Sequence, residues 1–254
     1  MVRESREHRL GAVRADLHIH SYVSDGGSSP AEIVRYSKLR GLDVISITDH
    51  DTFLGSYIAL RADSRIVVVP GAEFRTELGD VVVLCEDVPF ESMRRLGLKD
   101  GRTRHARLSL VLSLASEENC VTVAVHPFAL MRWGGGRLFE LPHVICVEVY
   151  NGSSDPLTNL YAAYVARSKE CKLASSDAHV VDMVGTAYTL IEVDHMSREG
   201  VIESIRKART RPVYRTLTDS LKSFASMKSR LTHSIRTRLG IYGDPWERVA
   251  RYPV

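Results

Sequence analysis

The feature that most constrains this chain is the repeated pairing of short Val- and Ile-rich runs with polar residues at their ends. The runs hold several β-branched residues without strict alternation, which is typical of strands buried on both faces. They read AVRADLHIH, LDVISITDHD, RIVVVPGAEF, DVVVLCE, VTVAVHPF, HVICVEVYN, KLASSDAH and TAYTLIEV. Helix-like stretches separate several of them, so the pattern predicts an α/β fold.

A barrel and a doubly wound sheet both alternate strands with helices. A barrel gathers its site from the C-terminal ends of many strands, whereas an open sheet concentrates its ligands near one switch point. Here polar clusters end nearly all the runs. We therefore expect a TIM-like α/β barrel of mainly parallel strands, with its functional site at their C-terminal ends.

Helix signals are clearest in SPAEIVRYSKLRGL. Ser29 is suited to cap a helix, Pro30 to occupy its first position, Glu32 to lie in its first turn and Gly41 to end it. The stretches LTNLYAAYVARSKEC and SREGVIESIRKART have similar helical spacing.

Composition narrows the class of protein. Apolar residues make up 44% and charged residues 26% of 254 residues, which is ordinary for a globular protein. We see no apolar stretch of about 18 residues, so we expect no membrane span. The four cysteines are widely spaced and form no CxxC pair; this predicts reduced, buried thiols and a cytoplasmic protein.

The net charge of +3 hides an asymmetry along the chain. From residue 201 onward there are twelve Lys and Arg against four Asp and Glu, a local balance of +8. Such a segment is suited to nucleic acid or another polyanion, but it is more often a solvated basic tail that packs on the body of the protein, because tail charge alone is a weak signal.

Histidines and acidic residues recur at the ends of the runs. They are His18, His20, Asp25, Asp49, His50, Asp51, Glu73, His126, Glu148, Asn151, Asp177 and His179. A single buried His needs only a hydrogen-bond partner, but so many polar groups at one end of successive strands predict a metal site. Imidazole and carboxylate ligands suit Zn, Mn or Fe, and they exceed the four that one structural ion uses. We expect two or three divalent ions, bridged by Glu73 or Asp25.

The motifs DLHIHSYVSDG, ITDHD, PGAE, VHP and SSDAH, in this order, resemble the polymerase and histidinol phosphatase (PHP) family of metal-dependent phosphoesterases, most closely its stand-alone members. The resemblance covers roughly residues 14 to 195 and implies a distorted seven-stranded β/α barrel. We divide the chain into an arm (1–13), the barrel (14–215) and a helical basic extension (216–254). The metal ligands that the resemblance implies are His18, His20, Asp25, His50, Glu73, His126, Asp177 and His179.

Further roles follow from this resemblance. Asp16 and Asp49 would orient the ligating imidazoles from behind. Many family members carry a His in the strand after the glutamate motif, and on our alignment Val82 stands in that place. With one ligand fewer, a third ion would bind weakly or through other groups; Cys85 is one candidate, although a core position fits it better.

The expected chemistry is hydrolysis by a hydroxide that bridges two ions, with no protein nucleophile. Arg132 is a candidate to grip the substrate phosphate, and Asn151 to position substrate or a water. Asp51 and His179 are candidates to protonate the leaving group.

The leading prediction is a metal-dependent phosphoesterase that acts on a small phosphate ester such as a nucleotide or sugar phosphate. A nuclease that trims RNA ends is the second enzyme hypothesis, and the basic C-terminal segment favours it. A third hypothesis is a non-catalytic RNA-binding subunit similar to the barrel-shaped protein of archaeal and eukaryotic ribonuclease P. The full set of potential ligands argues against the third. The sequence leaves the oligomeric state open.

Overall fold

The computed structural model describes residues 11–62, 65–98, 106–129 and 134–214, together with 227, 231, 234 and 235. The strands are β1 (Ala12–Ile19), β2 (Val44–Ile47), β3 (Val67–Val68), β4 (Gly71–Thr76), β5 (Gly79–Leu84), β6 (Val121–Ala124), β7 (Cys146–Asn151), β8 (Lys172–Ser175), β9 (Ala187–Glu192) and β10 (Thr210–Tyr214). The α-helices are α1 (Pro30–Leu39), α2 (Leu54–Ala59), α3 (Phe90–Arg95), α4 (Leu108–Glu117), α5 (Pro156–Val165) and α6 (Arg198–Arg206).

The described strands form two five-stranded sheets, in the orders β10-β9-β1-β2-β3 and β4-β5-β6-β7-β8. Pairing is parallel through β1-β2-β3 and through β6-β7-β8. However, β5 is antiparallel to both of its neighbours, and β9 is antiparallel to β1 and β10. The α/β class is therefore confirmed. Parallel pairing does not extend to β5, β9 and β10: a two-residue turn returns β5 beside β4, whereas β9 and β10 lie antiparallel across a connection that contains α6.

The two sheets meet where the polar clusters lie. Isolated bridges pair Ile19 with Ala178 and His50 with Glu73, each linking one sheet to the other. Pairing within the described residues thus gives two sheets joined at strand ends, and a seven-stranded closed barrel stays a prediction.

The run RIVVVPGAEF contains two strands, β3 and β4, rather than one. Pro70 lies between them and has no N–H to donate to a strand ladder. Gly71 follows and lets β4 approach β2 closely, since a Cβ at that position would lie 2.2 Å from Ser46 Oγ.

The predicted helix signals are confirmed. Ser29 caps α1 in a reciprocal capping box with Glu32, Pro30 is its first residue, and Gly41 follows its end with φ of 70°. Asp155 caps α5, and Ser197 caps α6.

One buried aliphatic cluster joins residues of both sheets, among them Leu17 and Leu173, to one face of α6. Val201, Ile202 and Ile205 supply that face, which we call the α6 plug. Arg206 at the end of α6 donates a hydrogen bond to the Asn119 carbonyl just before β6. The plug therefore closes the N-terminal ends of the parallel strands, opposite the polar clusters. Two further clusters pack α1 and α2, and α3 and α4, on the outer faces.

The expectation of reduced thiols is wrong. Cys85 pairs with Cys120 and Cys146 with Cys171, which leaves no free cysteine. The sequence spacing hid this because the pairs lie on neighbouring strands, where antiparallel or parallel pairing aligns residues 25 and 35 positions apart. Both disulfides lie at the plug end, and Cys85 is therefore unavailable as a metal ligand. The cytoplasmic location, which rested on free thiols, stays a prediction.

Among the described residues, no helix combines the length and the apolar character that crossing a membrane requires.

Candidate metal centre

The site begins on β1. His18 and His20 lie on one face of the strand, both are buried, and their Nε2 atoms are 3.1 Å apart. At that distance, two imidazole nitrogens share either a proton or a metal ion. The alternation read from the sequence therefore does bring the two rings together at the end of the strand.

Glu73, on β4, is the centre of the cluster. Its Oε2 lies 3.1 Å from His50 Nδ1, 3.2 Å from His20 Nε2 and 3.4 Å from His18 Nε2. Its other oxygen, Oε1, is 3.1 Å from His126 Nε2. One carboxylate surrounded by four imidazoles is suited to bridge metal ions, the role that the sequence predicted for Glu73 or Asp25.

A second carboxylate, Asp25, faces the more open side. Its Oδ2 lies 3.4 Å from His179 Nε2 and 3.5 Å from His50 Nε2, and its side chain is 48% exposed. Asp177 is buried, with Oδ1 3.4 Å from His20 Nε2. The cluster is therefore buried around Glu73 and partly open to solvent around Asp25.

All eight residues expected to bind metal lie in this cluster. They fall into overlapping groups of three whose donor atoms lie within 4.8 Å of one another: His18, His20 and Glu73; His18, His126 and Asp177; His20, Asp177 and His179; His20, Asp25 and His50. Several buried donor atoms, including Glu73 Oε2, His50 Nδ1 and His126 Nδ1, make no hydrogen bond. Buried polar atoms are normally satisfied, so these donors fit divalent ions of the kind that imidazole and carboxylate prefer.

The histidines and carboxylates of the site shift one another's pKa values. Burial alone would lower the pKa of His18, but Glu73 and Glu148 raise it to about 10. Burial and the neighbouring His179 lower the pKa of His20. Burial alone would raise the pKa of Glu73, but the surrounding His50, His18 and His126 hold it well below its usual range. Without metal, His18 thus carries the proton that an ion would displace.

Asp16 and Asp49 lie behind the cluster, but they accept hydrogen bonds from backbone N–H groups and serine hydroxyls rather than from imidazoles. Asp16 accepts hydrogen bonds from the backbone N–H groups of Ser176 and Gly185. Asp49 accepts bonds from the backbone and the hydroxyl groups of both Ser21 and Ser24. Each carboxylate therefore fixes the loop that carries a site residue, Asp177 in one case and Asp25 in the other.

The carboxylate that orients an imidazole is Glu148. Its Oε1 lies 3.2 Å from His18 Nδ1, and its Oε2 accepts from the backbone N–H of His126 at 2.9 Å. Asn151 donates from Nδ2 to Glu148 and to Asp177, and its Oδ1 accepts from Ser153. Asn151 is buried and its amide is occupied by protein groups. These bonds let it position two carboxylates, and its predicted role toward substrate or a water stays a prediction.

The predicted proton donors have different surroundings. His179 is 24% exposed and stacks on His20. Asp51 is buried, and both of its oxygens accept hydrogen bonds from Arg75. Arg132, predicted to grip phosphate, lies outside the described residues.

Site loops leave their strands through backbone conformations that side chains seldom adopt. Asp51, His126 and Asp177 have φ of 56°, 29° and 50°. Asp and His tolerate this region better than other residues do, and such conformations cost of order 1–3 kcal/mol each. The three residues turn the chain sharply where their strands end.

Parts of this chain are similar in sequence to known proteins. A family model described as PHP-associated (PHP_C) matches residues 156–210. A 3′,5′-nucleoside bisphosphate phosphatase of Chromobacterium violaceum is 28% identical over 181 residues, which cover 67% of this chain and 61% of the phosphatase. The chain is thus similar to the PHP-associated family over residues 156–210. The aligned part spans less than two thirds of that phosphatase.

The solved structures that share the fold of this chain include the following two. One is a two-domain protein of Bacteroides vulgatus that contains a predicted PHP-like metal-dependent phosphoesterase; it has a TM-score of 0.58 and 19% identity, and the match covers 80% of this chain and 65% of that one. The other is the lesion-specific endonuclease Q of Pyrococcus furiosus, with a TM-score of 0.57 and 15% identity over 77% of this chain and 56% of that one.

Asp80 is a site residue that the sequence reasoning missed. It lies on the same face of β5 as Val82 and two residues closer to the β4–β5 turn, opposite Arg75 in the register. It groups with Glu73 and His126, and its buried Oδ1 makes no hydrogen bond. Val82 itself packs in the aliphatic cluster. The available signal was period-two alternation, because residues 80 and 82 of one strand point to the same side.

Proposed function

We propose that this chain is a metal-dependent hydrolase of phosphate esters that acts on a small soluble ester such as a nucleotide or sugar phosphate. The observation that carries the proposal is the Glu73 carboxylate, buried among four imidazoles, together with donor atoms that no hydrogen bond satisfies. The sequence similarity to a nucleoside bisphosphate phosphatase supports the same reaction class.

Two or three ions of Zn, Mn or Fe would supply the Lewis acidity that polarises a phosphate and activates water. The eight clustered residues, with Asp80 as a ninth, are the proposed ligands. Many family members have a histidine where this chain has Val82. We propose that Asp80 supplies that ligand instead, so that a third ion could bind next to Glu73 and His126. Glu148 holds the His18 ring so that its Nε2 faces the cluster.

The protein groups also suggest how a proton reaches the leaving group. His179 is partly exposed at the edge of the cluster and stacks on His20. Asp51 has both oxygens engaged by Arg75. Of the two donor candidates, we propose His179, in the case that the other seven clustered residues and Asp80 bind the ions and His179 does not, with Asp51 in a positioning role.

We also propose that the two sheets together form the distorted barrel of the family. The two bridges between the sheets, Ile19 with Ala178 and His50 with Glu73, support this arrangement at the end where the ligands gather.

A second candidate function is a phosphodiesterase that acts on nucleic acid. The observation that favours it is the +8 charge balance from residue 201 onward, since polyanions are attracted to such segments. The unsatisfied donors of the cluster speak against a purely RNA-binding role, because a binding module needs no such set.

Metal content tests the proposal first. The purified protein is loaded with Mn or Zn, freed of excess ion, and measured by elemental mass spectrometry. We expect two or three ions per chain in the wild type and a loss of at least one in the double variant His18→Ala/His20→Ala. Fewer than one ion per wild-type chain contradicts the proposal.

Activity is then measured as phosphate released from nucleotides, sugar phosphates and short RNA. A matched control is His195→Ala, because His195 lies between β9 and α6, at the plug end. The control should keep the metal and the activity of the wild type. Equal activity in the wild type and in the double variant would rule out this site as the source of hydrolysis.

A further inference from the structure

Next to the cluster, one guanidinium is held in place by a buried carboxylate. Arg75 lies two residues after Glu73 on β4, so both side chains are on the same face of that strand. Its backbone N–H, its Nε and its Nη2 all donate to Asp51, at 3.2, 3.2 and 2.8 Å. This ion pair between Arg75 and Asp51 adjoins the metal cluster.

The pair differs from an ordinary surface salt bridge. Asp51 is 1% exposed, whereas Arg75 is 41% exposed. The carboxylate is therefore an internal anchor, and the guanidinium is its solvent-facing partner. Exposed ion pairs usually contribute little to stability, so stability alone gives a weak reason for such an anchored arginine.

The anchoring leaves one edge of the guanidinium available. Asp51 receives Nε and Nη2, and no described hydrogen bond uses Nη1. The charges of Asp25 and Asp80, two proposed metal ligands, also act on Arg75. The guanidinium therefore lies within electrostatic reach of two proposed ligands and is itself partly exposed to solvent.

We propose that Arg75, positioned by Asp51, binds a phosphate oxygen of the substrate that the metal ions do not hold. Arginine suits this task because its planar, permanently charged fork matches phosphate oxygens. Asp51 holds the fork in one orientation before substrate arrives, which reduces the side-chain entropy lost on binding. The inference deepens the proposed function and rests on it.

Binding of inorganic phosphate to the Mn-loaded protein tests the inference without requiring turnover. Titration calorimetry compares the wild type with Arg75→Gln, and the metal content of both is measured. We expect phosphate to bind at least about tenfold more weakly to the variant, since a hydrogen bond to a charged group is lost, while the metal content stays equal. Equal phosphate affinity at equal metal content overturns the inference.

Two further variants separate this role from a structural one. Arg75→Lys keeps a positive charge beside Asp51 but loses the fork, so it should show an intermediate affinity. If Arg75→Gln loses metal, Arg75→Lys replaces it in the comparison, and equal phosphate affinity at equal metal content again overturns the inference. Arg94→Gln is the matched control, because Arg94 pairs with Glu91 on the exposed side of α3, and it should bind phosphate like the wild type.

Kinetics with p-nitrophenyl phosphate distinguish this inference from the proposed function. If the wild type hydrolyses the ester and Arg75→Gln raises KM about tenfold or more, both stand. If the wild type hydrolyses it and Arg75→Gln leaves both KM and phosphate affinity unchanged, the function stands and the inference fails. If no ester is hydrolysed but phosphate affinity still depends on Arg75, the hydrolase proposal fails and the anion site remains.

Discussion

The two ends of the strands bury different kinds of side chain. At the C-terminal ends, histidines and carboxylates crowd around Glu73, and several of their donor atoms make no hydrogen bond. At the opposite end, the α6 plug fills the space with Val and Ile side chains, and both disulfides join neighbouring strands. The same strands thus carry a desolvated, charged end and an apolar, cross-linked end.

The difference teaches how this chain combines stability with a reactive site. Buried charges reduce stability unless they are paired or bind metal, whereas buried aliphatic side chains contribute roughly 1.5–3 kcal/mol each. We infer that the plug end stabilises the fold and that the cluster depends on bound ions for its stability. Substitutions at the two ends should therefore separate stability from metal binding and activity.

Glu73→Gln should have the largest effect. It removes the charge shared by four imidazoles while it keeps the size of the side chain. We expect activity to fall by about a thousandfold or more and the metal content to fall by at least one ion per chain. Steady-state phosphate release and elemental mass spectrometry measure the two effects. A variant that keeps full metal content and activity would remove Glu73 from the centre of the site.

Ile202→Ala tests the plug end. Ile202 is fully buried in the aliphatic cluster, and the cavity left by truncation should lower the free energy of unfolding by about 2–5 kcal/mol. Metal content and activity should stay at wild-type values below the unfolding transition. Urea unfolding measures the loss, with Glu203→Ala on the exposed face of α6 as the control. Loss of metal without loss of stability would contradict the division between the two ends.

The disulfide between Cys146 and Cys171 should stabilise the same end by restricting the unfolded chain. It spans 25 residues, for which loop entropy gives about 3.5 kcal/mol. Cys146→Ser/Cys171→Ser should unfold at lower urea concentration and should keep its ions. Reductant should destabilise the wild type more than this variant, which retains only Cys85–Cys120. An equal response of the two proteins would mean that the pair does not form.

Asp80→Asn should raise the stability of the metal-free protein, whereas the substitutions at the plug end lower it, because Asp80 lies at the charged end. Burial and the neighbouring Glu73 raise the pKa of Asp80 from 3.8 to about 6. A raised pKa means that this group favours folding below about pH 4 and that the contribution is lost as the pH rises through about 6. Above that pH, ionised Asp80 destabilises the metal-free protein by up to about 3 kcal/mol.

Urea unfolding in chelator at pH 4 and pH 8 measures this effect. Metal-free Asp80→Asn should be more stable than the wild type at pH 8 and similar to it at pH 4. After loading with Mn, the variant should hold fewer ions than the wild type. A stability difference that does not change with pH would contradict the burial of an unpaired Asp80 carboxylate.

Much of the site was predictable from the sequence because its parts are local. His18 and His20 alternate on one strand, and His50, His126 and Asp177 directly follow buried runs. The C-terminal ends of parallel strands lie at one end of an α/β fold, so position along each run was enough to place these donors at that end, where the two sheets meet. The helix α1 was predictable for the same reason, since Ser29, Pro30 and Glu32 act on the turn that they begin.

The tertiary structure alone decided which partners lie far apart in sequence. Whether β5 runs parallel or antiparallel determines that Asp80, rather than Val82, lies nearest the ligand end of the strand. The pairing of Arg75 with Asp51, and of Cys146 with Cys171, depends on which strands become neighbours. A sequence pattern states the face and the end of an element, but contacts between elements depend on how the whole chain packs.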